Sequence, residues 1–272
     1  MGAASARPVT VPSDDWPKAT MEPIDDAVRL LVEARRTSAP AAAARAPLAD
    51  AQAAYAVQER VAKALGWFGD AAPRHWKSGA PSREAVLTHA PLPPTGVWAS
   101  PADAGGWPFR LRGIEAEVAL RVGCDVDATL AESLDHARAA ALVDAICVSI
   151  EIVESRWVEA LDALATSKLA DLQSHGALVL GPWVPFVARD WGAQVCRVRV
   201  GAQPLIERRG THALADPTFV LPAWLRHATL AWGTVRAGTV VTTGTWVGIV
   251  HGAAGELVSV EFPGIGQASV QL

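Results

Sequence analysis

An alternating run of apolar and charged residues constrains the fold of this chain more than any other feature. Residues 113–122 read GIEAEVALRV, in which Ile114 and every second residue after it are apolar. Glu115, Glu117 and Arg121 occupy the other parity. This alternation is typical of a β-strand with one buried face. The two glutamates then project side by side, and their charges repel each other unless a cation compensates them.

A third glutamate lies in a second β-branched run, CVSIEIVESR at residues 147–156. Glu151 stands between two isoleucines, and a carboxylate in an apolar strand is costly unless it is paired or binds a metal. Hard cations prefer carboxylate oxygens. We therefore expect Glu115, Glu117 and Glu151 to bind Mg²⁺ or Mn²⁺. The alternative is a solvated strand face on which Arg121 neutralises the first two glutamates.

These glutamate runs and several short motifs, in the same order along the chain, resemble the fumarylacetoacetate hydrolase superfamily. Within it, they are most similar to the branch of 2-keto-4-pentenoate hydratase and 4-oxalocrotonate decarboxylase. The resemblance extends from about residue 50 to the end, and its strength lies in the order and spacing of the motifs. The further matched motifs are AYAVQ (54–58), HWKSG (75–79), ADLQSHG (170–176), VLG (179–181), RAGTVVTTG (236–244) and GIG (264–266).

The resemblance implies roles for three further residues. Lys77 would line the substrate pocket and bind an enolate or carboxylate, although a single lysine is ordinarily a solvated surface group. Asp171 would orient Lys77 or a metal-bound water, and Ser174 would bind a substrate carboxylate. Both also suit ordinary turns. The catalytic residues are thus predicted to be Lys77, Asp171 and Ser174, with no organic cofactor.

Two departures from the branch's pattern predict an altered pocket. Residues 80–97 lack the acidic string that normally follows the lysine motif, and Leu214-Ala215-Asp216-Pro217 stands where the family usually has Leu-Gly-His-Pro. Leu172 also stands where the branch usually carries Asn, so that amide has no counterpart here. A pocket wall that loses acids favours a larger or less polar substrate tail. We expect His89 or His175 to replace the missing proton-relay carboxylate.

The chain divides into three predicted parts: a flexible extension (1–20), a helical N-terminal part (21–70) and a β-rich catalytic domain (71–272). After residue 90 strands outnumber helices without regular alternation, which argues against a doubly wound sheet. The predicted fold is α+β, with a mixed, rolled β-sheet core. Predicted helices cover Pro23–Arg36, Asp50–Leu65 (capped by Asp50 and Gly66), Thr129 toward Asp144 (with a Thr129–Glu132 capping box), and Leu221–Ala231.

Composition excludes several classes of partner. The net charge is -4 with no basic stripe, which gives no electrostatic case for nucleic acid. No apolar run reaches transmembrane length, so no membrane is expected. Three widely spaced cysteines, with Cys124 and Cys147 expected to be buried, suit a reducing compartment, and we predict a cytoplasmic protein. Eleven tryptophans, including Trp183 and Trp191 in predicted surface stretches, predict a homo-oligomer.

Together with the three glutamates, the resemblance implies a divalent-metal-dependent hydratase, a lyase that acts on a 2-hydroxy-2,4-dienoate or 2-oxo-alkenoate as in aromatic meta-cleavage catabolism. The same residues suit a decarboxylase of a 4-oxalocrotonate-like 2-oxo diacid. Hydrolysis of an acylpyruvate C–C bond is a third option, but it usually needs a Glu–His pair, for which the sequence offers no convincing histidine. A non-catalytic partner subunit is the alternative from another class, and a partner decarboxylase or hydratase subunit also fits the resemblance.

Overall fold

The computed structural model describes the backbone of residues 18–272 and the side chains of residues 22–272. Most of the predicted N-terminal extension therefore lies outside the described residues. The helices are α1 (Lys18–Thr37), α2 (Ala51–Leu65), α3 (Ala128–Ser133), α4 (His136–Ala140), α5 (Ala165–Ala170) and α6 (Leu221–Trp232), with 3-10 turns at Ala43–Arg45, Pro94–Gly96, Ala160–Asp162 and Pro217–Val220.

The helix predictions are confirmed where local capping chemistry is strong. Asp50 accepts a hydrogen bond from the Ala53 amide at the start of α2, and Gly66 ends the helix with a left-handed φ of 65°. The first helix begins at Lys18, so Pro23 lies inside it instead of at its start. The helix predicted over Leu221–Ala231 corresponds to α6, which ends one residue later, at Trp232.

The single helix predicted from Thr129 toward Asp144 is wrong. Asp127 caps α3 by accepting from the Leu130 amide, so Thr129 is already inside the helix. Leu134 has an extended backbone conformation, which ends α3. Asp135 then caps α4 by accepting a hydrogen bond from the Arg138 amide. Two successive aspartate caps start two short helices where the sequence suggests one.

Two β-sheets make up the core of the chain. The strands are β1 (His75–Gly79), β2 (Thr88–Pro91), β3 (Val97–Ala99), β4 (Ala102–Asp103), β5 (Gly113–Val122), β6 (Val143–Val153), β7 (His175–Leu180), β8 (Val184–Pro185), β9 (Val195–Val200), β10 (Ile206–Arg209), β11 (Val240–Thr242), β12 (Val250–His251), β13 (Leu257–Phe262) and β14 (Gly266–Gln271). The larger sheet is mixed, with the order β2-β1-β11-β5-β6-β7-β3 and with β12 and β8 added to β5 and β6. The smaller has the order β10-β9-β13-β14-β4.

Strands β5 and β6 form the centre of the larger sheet. They pair antiparallel along nearly their whole length, and Glu115 stands opposite Glu151. Ile114, Ala116 and Val118 are fully buried on one face, and Glu117 on the other face is only 1% exposed. Both faces of β5 are therefore covered, instead of the single buried face that the alternation predicts. Glu117 and Glu151 are buried and Glu115 is half-buried, so the three glutamates do not form a solvated strand face.

Apolar packing joins these elements into an α+β fold with a curled mixed sheet, as predicted. The main hydrophobic cluster fills the space between the sheets and α6, with Trp76, Trp224, Trp246 and Phe262 among its largest side chains. A second cluster packs α1 and α2 against α5 and Trp157. No helix among the described residues has the length and apolar character needed to cross a bilayer.

Candidate active site

Strand geometry brings the three glutamates together. Glu115 and Glu117 are two residues apart on β5 and share a face, and Glu151 faces Glu115 from β6. One carboxylate oxygen from each lies within 4.8 Å of the others. We call Glu115, Glu117 and Glu151 the carboxylate cluster. Glu117 and Glu151 are buried, and Glu115 is half-buried.

Lys77 is the cation next to this cluster. Strand β1 pairs with β11, which pairs with β5, so Lys77 reaches the cluster across the sheet. Its Nζ lies 2.5 Å from Oε1 of Glu151 and donates a second hydrogen bond to the Gln173 carbonyl at 3.2 Å. Its side chain is 12% exposed. The predicted lysine thus contacts the cluster directly.

One oxygen of Glu151 is satisfied by protein donors and the other is not. Oε1 contacts Lys77 and also lies 3.0 Å from Nδ1 of His175. Oε2 is buried and has no hydrogen-bond partner among residues 18–272. An unpartnered buried carboxylate oxygen is costly, which is the expected state of a metal ligand considered without its metal.

Backbone and hydroxyl groups fix the orientation of Glu117. The Thr242 hydroxyl and the Gly244 amide, at 3.1 Å, both donate to its Oε2. Gly244 has φ 102°, a conformation that favours glycine, and this lets its N–H point at the carboxylate. Thr242 also shares a hydrogen bond with Ser149 at 3.0 Å. Glu117 is therefore held in place by β11 and the turn that follows it.

The surroundings raise the pKa of two carboxyl groups of the cluster and lower the pKa of the third. Burial, followed by the charges of Glu151 and Glu117, raises the pKa of Glu115 to about 8. Burial and Glu151 raise the pKa of Glu117 to about 7. Burial acts in the same direction on Glu151, but the charge of Lys77 and the His175 hydrogen bond lower its pKa. Burial opposes charge on Lys77, yet the three glutamates raise its pKa.

The donor set fits a hard divalent cation. Three carboxylates converge, one of their buried oxygens lacks a partner, and no thiol takes part. Carboxylate-only donor sets favour Mg²⁺ and Mn²⁺ over softer metals. Glu115, Glu117 and Glu151 are the residues that would hold such an ion.

Asp171 lies in a different set of contacts from the one expected. Its carboxylate accepts from Arg156, through Nε at 2.7 Å and the backbone N–H at 2.8 Å, and from Arg35 at 3.0 Å. Its side-chain partners are thus two guanidinium groups. Arg156 lies in the chain after β6, and Arg35 belongs to helix α1, which packs nearby. Among the described residues Asp171 thus makes no direct contact with Lys77, and its catalytic role stays a prediction.

A left-handed turn follows Asp171 and carries the next site residues. Leu172, Gln173 and Ser174 have φ values of 54°, 56° and 59°, which are strained for side chains with a Cβ. The turn directs the Gln173 carbonyl to Lys77. Ser174 is buried, and none of the described residues forms a hydrogen bond with its hydroxyl. Strained backbone of this kind occurs frequently at functional sites.

Two adjoining cavities open next to the cluster. The metal-side cavity, of about 280 Å³, is lined by Lys77, Glu115, Glu117 and the Thr243–Thr245 turn. The second, of about 480 Å³, shares Glu115 and Gln173 with the first and also reaches Ser174. We call it the apolar cavity, because its wall includes Val86, Val153, Leu161, Ala165, Leu169 and Ile249. His89 lines neither cavity; its Nδ1 contacts the Ser78 hydroxyl at 2.8 Å.

Sequence reasoning missed three contacts of this site. The sequence offered no convincing Glu–His pair, yet His175 contacts Glu151. The Gln173 carbonyl and the Thr242 hydroxyl were also not foreseen. Each contact depends on the order of strands in the sheet, for which the local signal was that His175, Gln173 and Thr242 all lie within matched motifs.

Comparison with known proteins adds to this geometry. The sequence model of the family described as fumarylacetoacetate (FAA) hydrolase C-terminal matches residues 71–272. The chain belongs to this family. That match covers β1 through β14 and includes Lys77 and the whole carboxylate cluster. A search for relatives among curated proteins gives no match.

Solved structures share the fold at low sequence identity. The 4-oxalocrotonate decarboxylase from Pseudomonas putida G7, complexed with magnesium and adipate, is similar with a TM-score of 0.78 and 17% identity, over 93% of this chain and 98% of that chain. The fumarylacetoacetate hydrolase from psychrophilic Exiguobacterium antarcticum has a TM-score of 0.56 and 18% identity, over 74% and 75% of the two chains. The 2-hydroxyhepta-2,4-diene-1,7-dioate isomerase from Mycobacterium marinum has a TM-score of 0.52 and 17% identity, over 74% of each.

Proposed function

We propose that this protein is a divalent-metal-dependent hydratase, a lyase that acts on a 2-hydroxy-2,4-dienoate or its 2-oxo tautomer. The observation that carries the proposal is the carboxylate cluster with Lys77 at 2.5 Å from Glu151. A divalent cation held by Glu115, Glu117 and Glu151 would supply a Lewis acid for the carboxylate and 2-oxo oxygens of the substrate. Membership of an enzyme family supports a catalytic function over a non-catalytic partner subunit.

The chain's own groups supply binding and proton transfer. The Lys77 ammonium stabilises negative charge on the substrate and moves a proton at its Nζ, because the charges of the three glutamates raise its pKa against the effect of burial and keep it protonated. His175 and the Gln173 carbonyl orient Glu151 and Lys77. The unpartnered hydroxyl of Ser174 offers a donor to a substrate carboxylate. Asp171 would act indirectly, by anchoring the turn that carries Gln173 and Ser174.

The apolar cavity supports a substrate with a hydrocarbon tail. It opens beside Glu115, and most of its wall is aliphatic. Its one lysine, Lys168, already donates to the Leu161 carbonyl at 2.9 Å. A second carboxylate on the tail would therefore find little compensation for its lost hydration there. This wall favours hydration of a substituted dienoate over decarboxylation of a diacid.

Decarboxylation of a 4-oxalocrotonate-like diacid is the second candidate. The observation in its favour is the likeness to a decarboxylase whose structure contains magnesium and adipate, with 98% of that chain covered. At 17% identity this likeness is one of fold. Both reactions pass through a dienolate of the substrate, so the two share the same demands on the site.

A spectrophotometric screen tests the proposal. The purified protein with Mg²⁺ or Mn²⁺ is given 2-hydroxydienoates and 2-oxo diacids, and the loss of dienoate absorbance and the release of CO₂ are followed together. The proposal expects loss of dienoate absorbance without CO₂, dependent on the metal. Release of CO₂ from the diacids alone would establish the second candidate. Absence of both reactions, in protein that binds the metal, would contradict both.

A further inference from the structure

A further pocket, in addition to the two cavities beside the carboxylate cluster, lies on the far side of strands β6 and β7 from that cluster. It has a volume of about 480 Å³ and is bounded by α1, by the end of α2 and by the loops that precede β3 and β5. His175 and Gly176 are successive residues of β7: His175 contacts Glu151, whereas Gly176 lines this pocket. Successive residues of a strand face opposite sides. The pocket is therefore separate from the candidate active site.

Three arginines line this pocket, which we call the arginine pocket. Arg35 comes from α1, Arg110 from the loop before β5 and Arg156 from the chain after β6. Arg35 and Arg156 share a single carboxylate, that of the fully buried Asp171. The side chains of Arg35 and Arg156 are 15% and 11% exposed, so both guanidinium groups are largely removed from water.

The carboxylates near the arginine pocket do not neutralise all the positive charge of its three guanidinium groups. Glu154 is buried, and its oxygens accept backbone N–H groups from Arg110, Leu111 and Ser155. Its nearest guanidinium contact is Nε of Arg110, at 3.9 Å. Three guanidinium groups thus face the two carboxylates of Glu154 and Asp171. Each arginine contacts one of these carboxylates, but the described charged groups of the wall leave an excess of one positive charge.

Arg35 carries the clearest sign of a missing anion. Its Nε is buried, and no group in the described part of the chain accepts a hydrogen bond from it. Burial, followed by the charge of Arg156, lowers the pKa of its guanidinium to about 9. An unpartnered buried donor on a charged group costs more than a neutral one, and an added acceptor would remove this cost.

Flat apolar surfaces lie beside the charge. The guanidinium of Arg35 stands over the ring of Trp67, 4.8 Å from its centroid. Trp107 also lines the pocket. Its ring packs edge-to-face against the ring of Trp98, with 5.1 Å between the two ring centroids. Planar ligands pack well between aromatic rings, and arginine forks bind carboxylates in two parallel hydrogen bonds.

We propose that the arginine pocket is a binding site for a small planar organic carboxylate, separate from the metal-binding site. The carboxylate would accept hydrogen bonds from the guanidinium groups of Arg35 and Arg110, and its ring would lie against Trp67 and Trp107. The single uncompensated positive charge matches a monoanion.

The test is a calorimetric titration of the full chain with benzoate. The protein is first treated with a chelator, so that benzoate cannot bind to a metal ion at the three glutamates. The test variants are Arg35→Gln and Arg110→Gln. The matched control is Arg29→Gln, which changes an exposed arginine of the same helix that pairs only with Asp26. Lys77→Met reports binding at the candidate active site. Benzyl alcohol and acetate test the need for charge and for the ring.

We expect saturable benzoate binding that weakens about tenfold or more in both test variants, as the loss of a charge-assisted hydrogen bond predicts. Arg29→Gln and Lys77→Met should retain the wild-type affinity. No saturable binding to the wild-type chain would overturn the proposal, as would a loss in Lys77→Met that is absent in Arg110→Gln. Acetate or benzyl alcohol binding as tightly as benzoate would also overturn it. Should Arg35→Gln fail to fold, the partly exposed Arg110 decides alone.

Discussion

Nζ of Lys77 lies 2.5 Å from Oε1 of Glu151, and this contact organises the candidate active site. The lysine compensates a group of three carboxylates that would otherwise repel one another inside the protein. It occupies one oxygen of Glu151 and leaves the other buried and unpartnered. The same ammonium therefore stabilises the cluster and leaves an oxygen available to a cation.

Replacement of Lys77 by Met should abolish most of the activity while leaving metal binding in place. Methionine keeps the apolar stem but removes the charge that stabilises the substrate's negative charge and moves its proton. A positioned acid–base group contributes about 10²–10⁴-fold to rate, so we expect kcat to fall by about that factor. Steady-state kinetics on the best substrate from the screen measure it.

Lys63→Met is the matched control for this experiment. Lys63 is exposed on α2, so its loss should leave kcat unchanged. Circular dichroism spectra of both variants check the fold. An unaltered kcat in Lys77→Met would refute the role of Lys77, whatever the control shows.

Glu117→Gln and Glu151→Gln should each weaken the binding of Mg²⁺ or Mn²⁺. Glutamine keeps the shape of the side chain but removes one of three negative charges. Changes in the surroundings of metal ligands already cost about 10–100-fold in affinity, so we expect at least that loss on removal of a ligand charge. Calorimetric titration of Mn²⁺ is the measurement. Glu207→Gln, an exposed glutamate paired with Arg197, is the control, and equal affinities in all three variants would contradict the assignment.

Local patterns predicted the carboxylate cluster because strand parity depends only on neighbouring residues. Glu115 and Glu117 share a face for that reason, and the apolar neighbours of Glu151 indicated a buried position. The end of α2 was also predictable, since Gly66 adopts the left-handed conformation there. In each case the structure depends on chemistry within a few residues.

Features that depend on distant parts of the chain were not predictable. Asp171 resembles a catalytic acid in its motif, but α1, more than a hundred residues earlier, supplies one of its two arginine partners. Trp191, expected at the surface, is 8% exposed and packs near Trp246. Cys124, expected to be buried, is exposed. The sequence identifies side chains of this kind, but the order of strands and helices decides their neighbours.

Acid should destabilise the fold through His89. This side chain is buried, and burial followed by the charge of neighbouring His227 lowers its pKa to about 3. Below its ordinary value of 6.5 the unfolded chain binds a proton that the folded chain does not, so stability is lost as pH falls from there toward the folded pKa. One such proton contributes a slope of about 1.4 kcal/mol per pH unit.

His89→Gln removes this proton and keeps a polar group near Ser78. Between about pH 6 and pH 4, its free energy of unfolding in urea should therefore decrease less steeply than that of the wild type. His251→Gln, at an exposed histidine, should retain the wild-type slope. If the free energy of unfolding depends on pH equally in the wild type and in His89→Gln, His89 has the same pKa in the folded and the unfolded chain.

We propose that the chain forms a homo-oligomer, with one contact at the end of α6. Leu230 is 87% exposed there, beside a groove of about 380 Å³ lined by Tyr55, His227 and Trp232. An exposed apolar side chain next to a groove suits a protein interface. Light scattering at micromolar concentration should give a multiple of the chain mass, reduced in Leu230→Asp and unchanged in the exposed control Leu205→Asp. A monomer mass for the wild type would refute the proposal.

The apolar cavity predicts that substrate preference rises with tail length. Each buried methylene contributes about 0.8 kcal/mol, which corresponds to about a fourfold gain in kcat/KM per added methylene until the cavity is filled. Kinetics on 2-hydroxydienoates with growing substituents at carbon 5 or 6 measure this gain. Leu161→Gln places an amide in the cavity wall and should flatten the series, whereas Leu205→Gln, at a leucine 47% exposed, should not. If unsubstituted pentadienoate has the highest kcat/KM in the wild type, the cavity does not hold the tail, because a bound hydrocarbon chain must gain from the aliphatic wall that it covers.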